Sequence, residues 1–211
     1  MRYQLSDFLL ADSPETVKKG QVLFREEERP RGVFFLQKGK VKVYKLGIDG
    51  KEQIIQILKE GDLLGYRTMF SEELYPVSAQ TLEEVVYHYY TKEQFLNLLG
   101  QLPELSNILL KQACVELGEM TERITIMAQQ SVSERLAKAL LMLNETYKRE
   151  GEPGPVIINL KRDDLANIIG TATETLVRLL QQFKEEGLIE SSGRKISIIN
   201  VDGLAKKAVV G

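Results

Sequence analysis

Hydrophobic positions along this chain change their period once. Up to about residue 90 they come in short apolar or alternating runs. Gly20–Phe24, Gly32–Leu36, Val41–Tyr44, Gln53–Leu58 and Glu84–Tyr90 each read as a strand. Turn formers punctuate them: Pro30, Gly39, Asp49-Gly50 and Gly61-Asp62. Asp49-Gly50 between two strands predicts a hairpin closed by a type I′ turn, which needs positive φ. So many short strands predict a small antiparallel barrel or roll, followed by a helical segment from Lys92.

After Pro103 the spacing becomes helical. Leu110, Ala113, Leu117, Met120, Ile124 and Met127 recur at alternating steps of three and four, which puts all six on one seam. Such a seam fits either a helix packed on its own domain or a two-stranded coiled coil between subunits. Ser131 and Glu134 have the spacing of a capping box and predict a new helix from Val132 to about Arg149. Leu136, Leu140, Leu141 and Leu143 should face inward, and Glu150–Pro155 should end the helix. These patterns divide the chain into a β-roll over 1–103, a long helix over 104–130 and a C-terminal domain over 131–211.

The C-terminal domain carries the most specific motif. Between Arg162 and Gln181 two helical stretches meet at Gly170, where a tight turn needs positive φ, and the small Ala166 permits close approach. Ile169, Leu176 and Leu179 are the expected buried wedge. Thr171, Thr173, Glu174, Val177 and Arg178 fall on the outer face of a second helix running from about Thr171 to Gln182. Gly187–Ser191, the tip Ser192-Gly193-Arg194 and Lys195–Ile199 then read as a hairpin wing with basic residues at its end. Two helices, a glycine turn and a wing predict a winged helix-turn-helix whose second helix enters the major groove of DNA. A simple helical hairpin with a glycine turn would share only the first part of this pattern. Glu174 and Arg178 lie one turn apart, so they can read one stretch of groove, carboxylate to cytosine N4 and guanidinium to guanine O6 and N7. The same spacing would also suit a surface salt bridge.

Composition adds exclusions more than direction. The 211 residues are 43% hydrophobic and 27% charged, ordinary for a globular chain able to bury a core unaided. Residues 1–130 carry a net −3 and residues 131–211 a net +1, so any DNA face must be a local patch. The single cysteine, Cys114, excludes an internal disulfide and a metal cluster built on this sequence's own thiolates. No signal pattern and no apolar run of membrane-spanning length occur, which predicts a cytoplasmic protein with no membrane partner. Paired catalytic carboxylates, a nucleophile with its base and a phosphate-cradling glycine loop are not found, so an enzyme is not expected.

Four segments together resemble the cyclic AMP receptor protein/FNR (Crp/Fnr) family of bacterial transcription regulators. They are Gly39–Val43, Gly61–Gly65, Ser131–Ala137 and the run from Asp164 to Arg178. The resemblance spans about Val17 to Val201 and implies an α+β fold. Its parts would be a cyclic-nucleotide-binding-like β-roll (an antiparallel double-stranded jelly roll), a long dimerisation helix and the winged helix-turn-helix. It further implies a homodimer through the Leu110–Met127 seam, a double-stranded DNA operator with inverted repeats, and RNA polymerase as a partner. Glu174 and Arg178 would read bases, with Thr173 beside them. Lys161, Arg162, Thr171, Arg194 and Lys195 would meet phosphates. Thr173 stands where the cyclic AMP receptor branch has a second reading arginine. Its methyl suits a thymine, so a TTGA-like half-site is expected rather than GTGA.

The implied effector pocket departs from the cyclic AMP pattern. Gly65 matches, but Tyr66 stands where a glutamate should meet the ribose, and Pro76 and Val77, followed by Ser78, where an arginine-serine pair should meet the phosphate. Arg67 could restore part of the lost charge, and Met120 and Thr121 of the long helix take the places that would meet the base. An apolar effector or none is expected, and no cofactor. The oxygen-sensing branch uses an N-terminal cysteine cluster that this sequence lacks. His88 reads as a strand residue of the roll rather than a haem ligand, Cys114 as a buried packing residue rather than a redox sensor, and Tyr87, Tyr89 and Tyr90 as packing in the roll. The alternative function is a small-molecule sensor or interaction module with a degenerate DNA-binding domain.

Overall fold

The structure, a computed structural model, describes residues 5, 8–9, 13–148 and 154–209. They divide into two compact units, 1–120 and 121–211. The first unit begins with β1 (Glu15–Val17), β2 (Val22–Phe24), β3 (Gly32–Lys38), β4 (Val41–Leu46), β5 (Glu52–Leu58) and β6 (Leu63–Leu64). A short helix α1 (Tyr66–Ser71), strands β7 (Ser78–Thr81) and β8 (Val85–Thr91), and helix α2 (Lys92–Gln101) follow. The strands form two four-stranded antiparallel sheets, ordered β1-β8-β3-β6 and β2-β7-β4-β5. β1, β6, β7 and α1 are additions to the strands expected from the sequence. They are too short, or too polar on one face, to show as hydrophobic runs.

Strand β3 explains why the roll has two cores. Side chains alternate across a strand, and here both faces are covered. Val33 and Phe35 join a cluster with Leu63, Met69, Phe95, Leu105 and Leu109, whereas Phe34 and Leu36 join Phe24, Val43, Leu58, Ala79 and Tyr87. The tyrosines split in the same way: Tyr87 and Tyr89 pack with the second cluster and Tyr90 with the first. His88 is buried at 3% exposure, and among the described residues neither ring nitrogen has a hydrogen-bond partner. The β3–β4 turn passes under β8 so closely that a Cβ on Gly39, whose φ is +93°, would sit 2.4 Å from the Glu84 carbonyl oxygen.

The β4–β5 hairpin forms, but not through a type I′ turn. Its loop is Ile48-Asp49-Gly50: Gly47 N donates to Lys51 O at 2.8 Å, and Gly50 N to Gly47 O at 2.9 Å. Only Gly50 there has positive φ, so this is the three-residue loop in which one left-handed glycine suffices.

Helix α3 (Pro103–Gln129) follows, and the division between the two units falls within it. Leu105 and Leu109 are buried in the first core, whereas Leu110, Leu117 and Ile124 are 66%, 69% and 71% exposed. Ala113 of the seam packs against the first core, so the exposed part of the heptad seam lies beside the face that packs on the roll. Cys114 is exposed rather than buried, because it points away from the Leu105–Leu109 face.

The second unit contains α4 (Val132–Tyr147), β9 (Ile158–Asn159), α5 (Arg162–Ile169), α6 (Thr173–Glu185), β10 (Ile189–Ser192), β11 (Lys195–Ile198) and α7 (Val201–Lys207). Its strands form an antiparallel sheet ordered β10-β11-β9. The expected capping box is present: Glu134 N donates to Ser131 Oγ at 3.3 Å and Ser131 N to Glu134 Oε2 at 2.7 Å. Of the four leucines expected inward on α4, Leu136, Leu140 and Leu143 are fully buried, but Leu141 is only half-buried. It lies a quarter turn off their stripe, and Ala137 and Ala139 are buried in its stead. Arg149 and the start of the expected break, 150–153, lie outside the described residues. Helix α7, capped by Asn200 Oδ1 accepting from Gly203 N at 2.8 Å, was not expected from the sequence.

Candidate nucleic-acid interface and sensor cavity

Helices α5 and α6 meet at Gly170, whose φ of 65° and ψ of 52° put it in the left-handed region. Its N–H caps α5 by donating to Ala166 O, and Ala166 itself is buried at the crossing. The wedge beneath is Ile169, Leu176, Leu180 and Phe183. Leu180 replaces the expected Leu179, which is half-buried, because the stripe on α6 follows steps of four and three from Leu176. Helix α6 also starts at Thr173, not Thr171. Ala172 is its N-cap and has no side chain to bond the first N–H groups, which leaves them to an outside acceptor.

The outer face of α6 carries Glu174, Val177 and Arg178, all exposed. Among the described residues neither Glu174 nor Arg178 is in an ion pair, so the surface salt bridge that their spacing would suit is not formed. Thr173 Oγ1 donates to Asp163 Oδ1 at 2.8 Å, which ties the start of α6 to α5. Arg162, Glu174, Val177, Arg178, Gln181 and Ser191 line one groove of about 540 Å3 between α6 and the wing. Arg162 is half-buried, and among the described residues its buried Nη1 has no partner. Burial pulls its pKa below the usual arginine range. In the wing, β10 pairs with β11 from Ile189 opposite Ile198 to Ser192 opposite Lys195, with Gly193-Arg194 as the loop. Arg194 and Lys195 stand exposed at that tip, and Lys161 is exposed just before α5.

One residue that sequence reasoning missed holds this arrangement together. Arg135, on the first turn of α4, donates from Nε to Ile169 O at 2.9 Å and from Nη1 to Gln130 O at 2.9 Å. A longer bond of 3.5 Å runs from Nη2 to Gly170 O. A single guanidinium therefore joins the carbonyls at the end of α5 and at the turn to the carbonyl just before α4. Its distance of 34 residues from Ile169 hides it from any local pattern.

In the first unit Gly65, Tyr66, Arg67, Pro76 and Val77 come together around a cavity of about 40 Å3, far below the several hundred that small-molecule sites occupy. Ser78 does not line it, although it sits next in sequence; its Oγ accepts from Glu26 N at 2.9 Å. Met120 and Thr121 do not line it either. The long helix contributes Glu116 there, four residues earlier. Glu116 is 8% exposed, pairs with Arg67 Nη1 at 3.6 Å and accepts from Gln112 Nε2 at 3.1 Å. Arg67 is thus held by the protein's own carboxylate. Among the described residues the buried Tyr66 hydroxyl meets no partner at hydrogen-bond geometry; burial pushes its pKa up, and the nearby Glu116 carboxylate pushes it further.

Two domain families match this chain: the cyclic nucleotide-binding domain over residues 14–101 and the Crp-like helix-turn-helix domain over residues 134–207. The chain belongs to the Crp/Fnr family. The fumarate and nitrate reduction regulatory protein of Escherichia coli is 28% identical over 206 residues, which cover 97% of this chain and 81% of that one. The structure of FixK2 from Bradyrhizobium japonicum superposes with a TM-score of 0.83 at 22% identity, covering 96% of this chain and all of that one. A CRP/FNR-family transcriptional regulator from Thermus thermophilus gives a TM-score of 0.74 at 25% identity, covering 94% and 99%. The expected α+β architecture of β-roll, long helix and winged helix-turn-helix is that of this Crp/Fnr protein. Its donor set does not fit an iron–sulfur cluster, since the sequence holds one cysteine and such clusters take four thiolates. Among the described residues no helix is long and apolar enough to cross a membrane.

Proposed function

We propose that this Crp/Fnr protein is a non-enzymatic, homodimeric transcription regulator that binds an inverted-repeat operator and responds to something other than cyclic AMP. The observation that carries this reading is the outer face of α6, where Glu174 and Arg178 stand exposed and uncommitted one helical turn apart. Partnering them with each other would cost nothing in geometry, yet both are left to the groove. A carboxylate and a guanidinium side by side suit a G·C pair. Thr173, with its hydroxyl given to Asp163, retains its methyl for a thymine.

Phosphate contacts are assigned to Lys161, the half-buried Arg162, Thr171 and the wing-tip residues Arg194 and Lys195. The unblocked first turn of α6 adds N–H donors. The functional divisions are taken as a sensor over 1–103, a dimerisation helix over 104–130 and a DNA-binding domain over 131–211. Exposure of Leu110, Leu117 and Ile124 supports dimerisation through the seam, and two-fold symmetry then sets half-sites about one helical turn, ~34 Å, apart. RNA polymerase is the expected protein partner, and the cytoplasm the expected compartment.

Selection of binding sites from random duplexes tests the reading. A TTGA-like inverted repeat with a fixed G·C pair is expected. Arg178→Ala should weaken it by about 1–3 kcal/mol and relax the choice at that guanine. An enriched site with no fixed G·C pair, or an unchanged preference in Arg178→Ala, would show that other residues read the DNA.

A further inference from the structure

The cavity under Gly65 is closed by the protein's own side chains, but a second, much larger one lies beside it. A cleft of about 620 Å3 opens between β2, β3 and β8 and lies wholly within the first unit. Its floor is aromatic: Phe34 lies 5.2 Å from Tyr87 and 5.0 Å from Tyr89, ring centroid to ring centroid. Phe24 and Tyr75 form one wall, stacked at 3.7 Å and 11°. The same pair lines the small cavity, so one stack of two rings separates the two spaces.

The rim carries four charges, and they are not equivalent. Glu15 accepts from the Tyr87 hydroxyl at 3.0 Å, and Glu28 accepts from Arg25 N at 2.9 Å, so both carboxylates are engaged by the protein. Arg29 and Arg31 are exposed, and among the described residues neither guanidinium is in an ion pair. Both carboxylates keep their charge, so the rim is balanced overall, and the charged donors it offers an incoming anion are the two guanidiniums. Arg31, Glu15 and Tyr89 line the same cleft; burial raises the pKa of the Tyr89 phenol, Arg31 opposes that shift and Glu15 adds to it.

We infer that this cleft is the effector site of the protein, and that its ligand is a small aromatic carboxylate. A planar ring would lie on the Phe34, Tyr87 and Tyr89 floor, and the carboxylate would meet Arg29 and Arg31. The volume falls within the range of small-molecule sites, and an apolar floor with a few convergent polar groups is their usual chemistry. Offset or edge contacts between rings favour an aromatic body over an alkyl chain. A guanidinium favours a planar carboxylate, which takes its two parallel N–H bonds. A ligand seated there would press on the Phe24–Tyr75 stack, whose other side faces Tyr66, Arg67 and Glu116 of α3. This inference rests on the proposed regulatory function and deepens it by assigning the effector, but ligand binding itself is read without DNA.

The test is calorimetric titration of the full chain with trans-cinnamate, using cinnamamide, octanoate and cyclic AMP as comparisons. Cinnamate should bind with a dissociation constant below about 1 mM, the weak end of specific binding. Cinnamamide and octanoate should bind at least about tenfold more weakly, a difference of about 1.4 kcal/mol. The double variant Arg29→Gln/Arg31→Gln, altered only at exposed rim positions, should lose at least about tenfold for cinnamate and nothing for the neutral cinnamamide. It should retain the wild-type affinity for the selected operator in the absence of any ligand, which separates failure here from failure of the DNA reading. The inference is overturned if cinnamate does not bind, if octanoate binds as tightly, or if the double variant binds cinnamate unchanged.

Discussion

Removing the Arg135 guanidinium should loosen the helix-turn-helix without touching its DNA-reading surface. Arg135→Met keeps most of the alkyl stem and deletes all the donors. Two of the three bonds lost are well formed at 2.9 Å, and the third, at 3.5 Å, contributes little. A charged hydrogen bond is worth about 1.5–3 kcal/mol, so two give about 3–6 kcal/mol before solvent is considered. Arg135 is only half-buried, and water can reach part of what it leaves, which brings the expected loss to about 3 kcal/mol. The loss of a positive charge at the end of α5 accounts for about 0.5 kcal/mol of that. The chain has two units, so a single unfolding midpoint would mix them. Amide hydrogen exchange over 162–183 reads the local opening directly. Protection there should fall by about a hundredfold, the equivalent of about 3 kcal/mol. Arg135→Lys should recover at most about half, since one ammonium cannot span carbonyls on two sides of the turn. Operator affinity should fall with no change in base preference, unlike Arg178→Ala. A loss of protection below about fivefold, about 1 kcal/mol, would refute the view that this residue holds the two helices to α4.

Leu117→Glu or Ile124→Glu should yield a monomer with little operator affinity, because two like charges would be desolvated face to face in the seam. A sedimentation experiment showing dimers of unchanged stability for both variants would place the subunit interface elsewhere. Cyclic AMP should bind no more tightly than about 1 mM in calorimetric titration, since Tyr66 and Pro76 replace its partners and a 40 Å3 cavity has no room for it. A submicromolar constant would overturn this. Arg162→Ala should weaken all duplex sequences alike and flatten the salt dependence by about one counterion; a change confined to one base position would make it a reading residue instead.

What the sequence determined by itself is what depends on near neighbours. The capping box at Ser131 and Glu134 needs only a step of three. The left-handed turn at Gly170 needs one residue without a Cβ. The seam on α3 needs only the period of a helix, and Leu110, Leu117, Ile124 and Met127 of it emerged exposed. The family resemblance followed from such local runs in order, as did the helix-turn-helix. What was decided only in three dimensions depends on distant partners. Leu180 lies in the wedge and Leu179 beside it because α5 and the wing choose which face of α6 to cover. The pocket that pattern matching placed at Gly65 is closed because Arg67 meets Glu116, 49 positions away, on another element. Arg135 finds its acceptors at Ile169 and Gly170 only once α4 and α5 have packed. The aromatic cleft joins Phe34, Tyr75 and Tyr89, which sit on separate strands and a loop, and no spacing along the chain relates them. Hydrogen bonds within a turn are set by backbone geometry that each residue carries with it. Pockets and long-range ion pairs are set by which surfaces burial brings together, and that choice belongs to the whole fold.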